Sequence, residues 1–114
     1  MKPRLDLRGT ELETISIFGY SPEFNESIVN LIKRILEGEF GSVMNERNDP
    51  DLSNIQAIYG DHHGYFWIAV EDHTVIGTIA LLNLGNHRSC LRRMYVAPEY
   101  RGSGVATHLL NYLN

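Results

Sequence analysis

At 114 residues, with 43% hydrophobic and 21% charged side chains, the chain is long enough for one packed domain and too short for two. Its composition is that of a folded segment rather than a disordered one. A formal charge of −4 argues against nucleic acid and anionic membrane surfaces as partners. No stretch approaches the roughly 18 apolar residues of a membrane span. Cys90 is the single cysteine, so no internal disulfide can form, which suits a reducing, cytoplasmic location.

In chain order, residues 1–13 are polar and irregular, a loose leader with no apolar stretch of the kind a secretion signal needs. Glu13 to Gly19 alternates and predicts a first strand. Ser21-Pro22 predicts a helix start, a side-chain cap followed by proline at the first helical position. Phe24, Ile28, Leu31, Ile32, Ile35 and Leu36 then recur at steps of three and four on one stripe. Glu23 and Glu26 near the start and Lys33 and Arg34 near the end suit the helix dipole, and Gly38 is expected to close the helix. Glu39 to Asn48 reads as loop. Asp49-Pro50 repeats the cap-and-proline start, with Leu52, Ile55, Ile58 and Tyr59 predicting a short helix ended by Gly60.

Asp61-His62-His63-Gly64 reads as a turn. Tyr65–Val70 and Thr74–Leu84 predict two strands joined through Glu71-Asp72-His73 as a hairpin. The second is apolar on both alternating sets (Val75, Ile79, Leu81; Ile76, Ala80, Leu82) and should be covered on both faces. Gly85 to Arg88 turns the chain into a strand over Ser89–Val96, where Cys90 is expected as a small buried residue. The order is β-α-α-β-β-β-α, without internal repeats.

Leu91 to Leu110 concentrates the chemistry. A strand ends at Val96, Pro98 turns the chain, and Gly102 and Gly104 flank Ser103 where a helix must start, with Val105, Leu109, Leu110 and Leu113 on one face. A helix N-terminus offers unpaired N–H groups and partial positive charge to an anion, and glycine removes the Cβ that would hold a phosphate away. No Lys follows the second glycine, which excludes GxxxxGK[ST], and the third glycine of GxGxxG is missing. Arg101, Gly104 and Ala106 do fill Arg/Gln-x-x-Gly-x-Gly/Ala. With the preceding Met94-Tyr95-Val96-Ala97-Pro98-Glu99-Tyr100, the stretch resembles the acetyl-CoA-binding motif of the GCN5-related N-acetyltransferases, the GNAT superfamily. Without the resemblance it is a strand–turn–helix with glycines for tight turning.

The resemblance implies an α/β (α+β) acyl-CoA N-acyltransferase fold, a mixed, mostly antiparallel sheet flanked by helices. It covers about residues 14–114 and implies that 1–114 is one N-acetyltransferase domain, residues 1–13 being the loose leader, with the final strands and helix of the fold absent. It implies direct attack of a primary amine on acetyl-CoA in a ternary complex. The backbone of Met94, Tyr95 and Val96 would bond the pantetheine amides, with an N–H of this segment polarising the carbonyl, and Arg101, Gly102, Ser103, Gly104, Val105 and Ala106 would hold the pyrophosphate. The fourth strand offers Arg92 and Arg93 and no carboxylate, so the strand glutamate of the histone-acetylating members has no equivalent there. Glu37 and Glu39, toward the acceptor side, are the candidates for the base, although surface charge is their ordinary role. The acceptor is expected to be a small amine or a protein amino group. The alternatives are a non-catalytic CoA-binding or regulatory module, or a half-domain completed by another chain, a homodimer partner included, through an exposed strand edge. Five histidines at scattered positions, His62-His63 adjacent, give no metal-ligand spacing, so no metal is expected.

Overall fold

The computed structural model describes residues 14–45, 47–60 and 64–112. The leader, the His62-His63 turn and Leu113 lie outside the described residues. Four strands, β1 (Ser16–Gly19), β2 (Gly64–Glu71), β3 (Thr74–Gly85) and β4 (Arg88–Val96), form one sheet in the order β1-β2-β3-β4. Every pairing is antiparallel; the parallel neighbour that a mixed sheet requires is not among the described residues. Both β-hairpins turn on two consecutive residues with positive φ, Asp72 and His73 at 51° and 62°, Asn86 and His87 at 53° and 62°. Two such residues carry the twist that adjacent antiparallel strands require, and Asp and Asn tolerate the left-handed region better than most side chains.

The helices are α1 (Asn25–Glu39), α2 (Ile55–Tyr59) and α3 (Val105–Asn111). The apolar stripe of α1 buries Ile28, Leu31, Ile32 and Ile35, and Ser27 Oγ accepts the Val75 N–H at 2.8 Å, tying the helix to β3. The ends of α1 differ from the sequence expectation. Pro22–Phe24 forms a 3-10 turn ahead of the α-helix, and Ser21 makes no side-chain cap; its hydroxyl donates to Glu23 instead. Gly38 stays helical. The left-handed residue that ends the helix is Gly41, at φ 65°, with Phe40 N–H and Ser42 N–H both returning to the Leu36 carbonyl. Asp49 likewise caps nothing: Pro50–Ser53 is a 3-10 turn, and the Asp49 carboxylate serves an arginine described below.

Helices cover the two faces of the sheet. Phe66 meets Tyr59 of α2 with ring centroids 5.3 Å apart. The next residue, Trp67, meets Tyr112 just past α3 at 5.4 Å, as strand alternation requires. On that second face Gly77 admits α3 closely: a Cβ there would lie 3.0 Å from Leu109 and 3.2 Å from Val105. β3 is buried on both faces from Val75 to Ala80 only. Beyond it Leu81 and Leu82 are half-buried and Leu84 is exposed, so the outer part of the β3–β4 hairpin projects from the core. Cys90 lies there and is half-exposed rather than buried. On α3, Val105 and Leu109 are buried, whereas Leu110 is exposed.

Candidate active site

The register of β4 against β3 slips by one residue in mid-strand. Tyr95 faces Thr78 and Arg92 faces Ala80, so Arg93 and Met94 together oppose Ile79. This is a β-bulge, a device that re-aims side chains and is concentrated near functional sites. The extra residue, Arg93, has φ 52°, a left-handed conformation that costs a residue with Cβ about 1–2 kcal/mol. Its environment holds it there. Arg93 Nε donates to Asp51 Oδ2 at 2.9 Å and Nη2 to Asp51 Oδ1 at 2.6 Å and Asp49 Oδ1 at 3.0 Å. Tyr59 donates its hydroxyl to Asp51 Oδ2 at 2.7 Å, and Thr78 Oγ1 donates to the Arg93 carbonyl at 2.7 Å.

Burial works against ionisation of Asp51, but the hydrogen bonds from Arg93 and then Tyr59 outweigh it and keep the carboxyl below its usual range. Burial, then the bond to Asp51, pushes the Tyr59 phenol above its ordinary value. Arg93 stays cationic against its own burial because Asp51 and Asp49 face it. The cluster is a closed ion network with no proton to give near neutrality.

Past the bulge, the edge of β4 away from β3 has no strand beside it among the described residues. Ala97 N–H bonds the Ile76 carbonyl at 2.8 Å. With Tyr95 opposite Thr78 in the same register, the Tyr95 main chain turns toward β3, and Met94 and Val96 present theirs to the open edge. The Val96 carbonyl is taken there by Arg101 Nε at 3.0 Å.

The chain then passes through a 3-10 turn at Pro98–Tyr100 into the glycine loop. Gly102 and Gly104 have φ of 78° and 98°, conformations that favour glycine, and Gly104 stands at the N-cap of α3. The first main-chain bond into α3 runs from His108 N–H to the Gly104 carbonyl. Among the described residues, the N–H groups of Gly102 through Thr107 have no main-chain acceptor. They border a groove of about 460 Å³ lined by Val96 and Tyr100 through Thr107. The floor is fixed from below: buried Ser103 donates its hydroxyl to the Tyr100 carbonyl and Tyr100 its phenol to buried Glu71.

Two ion pairs fasten this loop to α1. Arg34 meets Glu99 at 3.3 Å, and Arg101 closes a fork on Glu39 at 2.6 and 2.9 Å. The hydrogen bond from Arg101, more than its charge, holds the Glu39 carboxyl below the usual range, which weakens it as a proton acceptor. Glu37 accepts the Met44 N–H at 3.3 Å. Of the site residues expected from sequence, Val96 and Arg101 through Ala106 thus converge on one groove with the Met94 edge beside it. Glu39 reaches that groove only as the partner of Arg101. The sequence reading missed the Arg93 network. Its trace was there, in two arginines side by side in an otherwise apolar strand and two aspartates flanking Pro50.

The chain matches the family model described as "Acetyltransferase (GNAT) family" over residues 26–113. A probable N-acetyltransferase 14 of Xenopus tropicalis is 40% identical over 65 residues, covering 55% of this chain and 32% of that protein. An acetyltransferase of the GNAT family from Staphylococcus aureus Mu50 superimposes with a TM-score of 0.81 at 33% identity, over 87% of this chain and 62% of that one. The PaiA N-acetyltransferase of Thermoplasma acidophilum, in complex with coenzyme A, has a TM-score of 0.65 at 22% identity over 86% and 68% of the two chains, a likeness of fold alone. The chain spans about a third of the length of the curated relative and less than two thirds of the staphylococcal protein.

Proposed function

The chain belongs to the acetyltransferase (GNAT) family, and from that premise we propose that it binds acetyl-CoA along the β4 edge and the glycine loop and transfers the acetyl group to a primary amine by direct attack in a ternary complex. The observation that carries this reading is the row of N–H groups from Gly102 to Thr107 left without main-chain acceptors at the mouth of a groove. Such a row suits a diphosphate, and a Cβ on Gly102 or Gly104 would stand in a conformation that strains it. Acetyl-CoA supplies the activated thioester.

The residues of the chain then have separate tasks. Gly102, Ser103, Gly104, Val105 and Ala106 hold the diphosphate through main-chain N–H groups. Arg101 shapes the loop and leaves the anion to those amides, because its nitrogens are engaged with Glu39 and Val96. The outward main chain of Met94 and the N–H of Val96 align the pantetheine arm, as a further strand would. The Met94 N–H is the donor placed to stabilise charge on the acyl oxygen, a task that preorganised backbone donors perform well. Glu37, with one backbone donor and an exposed carboxylate, is better suited than Glu39 to attract a cationic amine. The acidic balance of the chain fits a small amine or a protein amino group as acceptor.

Titration calorimetry with CoA tests the reading. Heat of binding and a raised melting temperature are expected, since a ligand that binds only the folded chain stabilises it. Silence in both would remove the cofactor. Thiol release from acetyl-CoA with a panel of amines tests transfer; binding without release points instead to a CoA-binding module, or to a half-domain that needs a completing segment along β4.

A further inference from the structure

We propose that Arg93 is a positioning residue for the acyl group: clamped by Asp49 and Asp51, it holds the Arg93–Met94 peptide so that the Met94 N–H faces the open edge of β4. This rests on the acetyl-CoA reading above. The Arg93–Met94 peptide is trans, so its carbonyl and the following N–H point in opposite directions. The Arg93 carbonyl is fixed toward β3 by the Thr78 hydroxyl at 2.7 Å; the Met94 N–H is therefore turned away from β3, to the edge.

What keeps this peptide plane in place is the side chain of the same residue. Arg93 sits at the extra position of the bulge with φ 52°, a conformation that relaxes easily unless its surroundings over-determine it. Three hydrogen bonds to two carboxylates anchor the guanidinium, and the arginine and both aspartates are nine-tenths or more buried. A planar guanidinium can bridge Asp49 and Asp51 at once; a lysine ammonium cannot reproduce that fork. The clamp also joins the bulge to the segment from Asp49 to Tyr59, so the donor for the acyl oxygen and the α2 side of the sheet are held in one frame.

The test is amide NMR of the ¹⁵N-labelled full chain with CoA and with acetyl-CoA. In the unsubstituted chain both ligands should move the Gly102–Ala106 signals, and acetyl-CoA should move Met94 further than CoA does. In Arg93→Lys the loop response should persist while the acetyl-specific movement of Met94 is lost. Asp49→Asn, which keeps the Asp51 bonds, should lose part of it and serves if Arg93→Lys does not fold. A folded Arg93→Lys or Asp49→Asn chain that melts earlier but keeps the full acetyl-specific Met94 response overturns the positioning role and leaves the cofactor reading standing. No response at Gly102–Ala106 in the unsubstituted chain overturns the cofactor reading, and the role of Arg93 with it.

Discussion

Arg93 and Arg101 both close forks on carboxylates from the α1–α2 side of the molecule, but in opposite surroundings. The Arg93 side chain is 9% exposed and its Asp51 partner 4%, whereas Arg101 and Glu39 are 44% and 34% exposed. The chemistry is shared, so the contrast isolates what solvent does to it. Around Arg93 a single buried cation serves two buried carboxylates, and removing it strands both in a poor solvent for ions. Around Arg101 water competes for both partners, and the pair gains little beyond geometry. The buried network holds a bulge in a conformation it would not otherwise adopt; the surface pair fastens a loop whose shape comes from its glycines.

Arg93→Met should break the comparison hardest. It leaves Asp49 and Asp51 buried without their hydrogen-bonded counter-charge, a change that typically costs about 3–5 kcal/mol. Urea denaturation at neutral pH should show a loss of that size, with a folded but less stable chain if the global margin allows. A loss no larger than that of a surface substitution would mean that water reaches the aspartates and that the network is not closed.

Much of this fold was legible in the sequence because its signals are local. The stripe from Ile28 to Ile35 fixes the buried face of α1, paired turn residues mark both hairpins, and the glycines of Arg101–Ala106 announce the groove. The Arg93 network left only a trace, the paired arginines and the aspartates around Pro50, because its assembly depends on a register slip. One extra residue in β4 changes which side chains share a face, and nothing within Ser89–Val96 announces it. Its partners lie 42 and 44 positions away in sequence, where a cap-and-proline start is the natural local reading of Asp49-Pro50. Gly38 and Gly41 pose a smaller version of the problem: composition suggests a glycine stop, but only the backbone says which glycine turns left-handed. The exposure of Leu110 and Cys90 follows from what packs beside them, which alternation alone does not specify.

Gly104→Val asks whether the loop takes its shape from its glycines or from the Arg101 fork. A Cβ at Gly104 meets nothing within 4 Å, so no clash is expected, but φ is 98°. Holding an L-residue in left-handed backbone costs about 1–2 kcal/mol, which thermal unfolding should reveal. CoA binding should weaken as well, because the chain relieves the strain by turning amides out of the groove. Unchanged affinity would mean that the fork, not the glycines, sets the loop.

Glu39→Gln should have the smallest effect and sharpens the contrast from the other side. Both partners of the surface pair are hydrated, so melting should stay within error of the unsubstituted chain, and any difference at low salt should vanish by about 0.5 M sodium chloride, where the screening length is only a few ångströms. Binding should respond in the opposite sense to Gly104→Val. Turning one carboxylate oxygen into an amide nitrogen leaves a single acceptor for the fork. That frees one nitrogen of the Arg101 guanidinium beside an anion groove and takes away a negative charge. CoA should then bind about twofold tighter at low salt, with a steeper salt dependence as an additional cation faces the diphosphate. If Glu39→Gln instead weakens CoA by as much as Gly104→Val does, the surface fork is holding the loop open for its ligand, and exposure alone would no longer separate the two arginines.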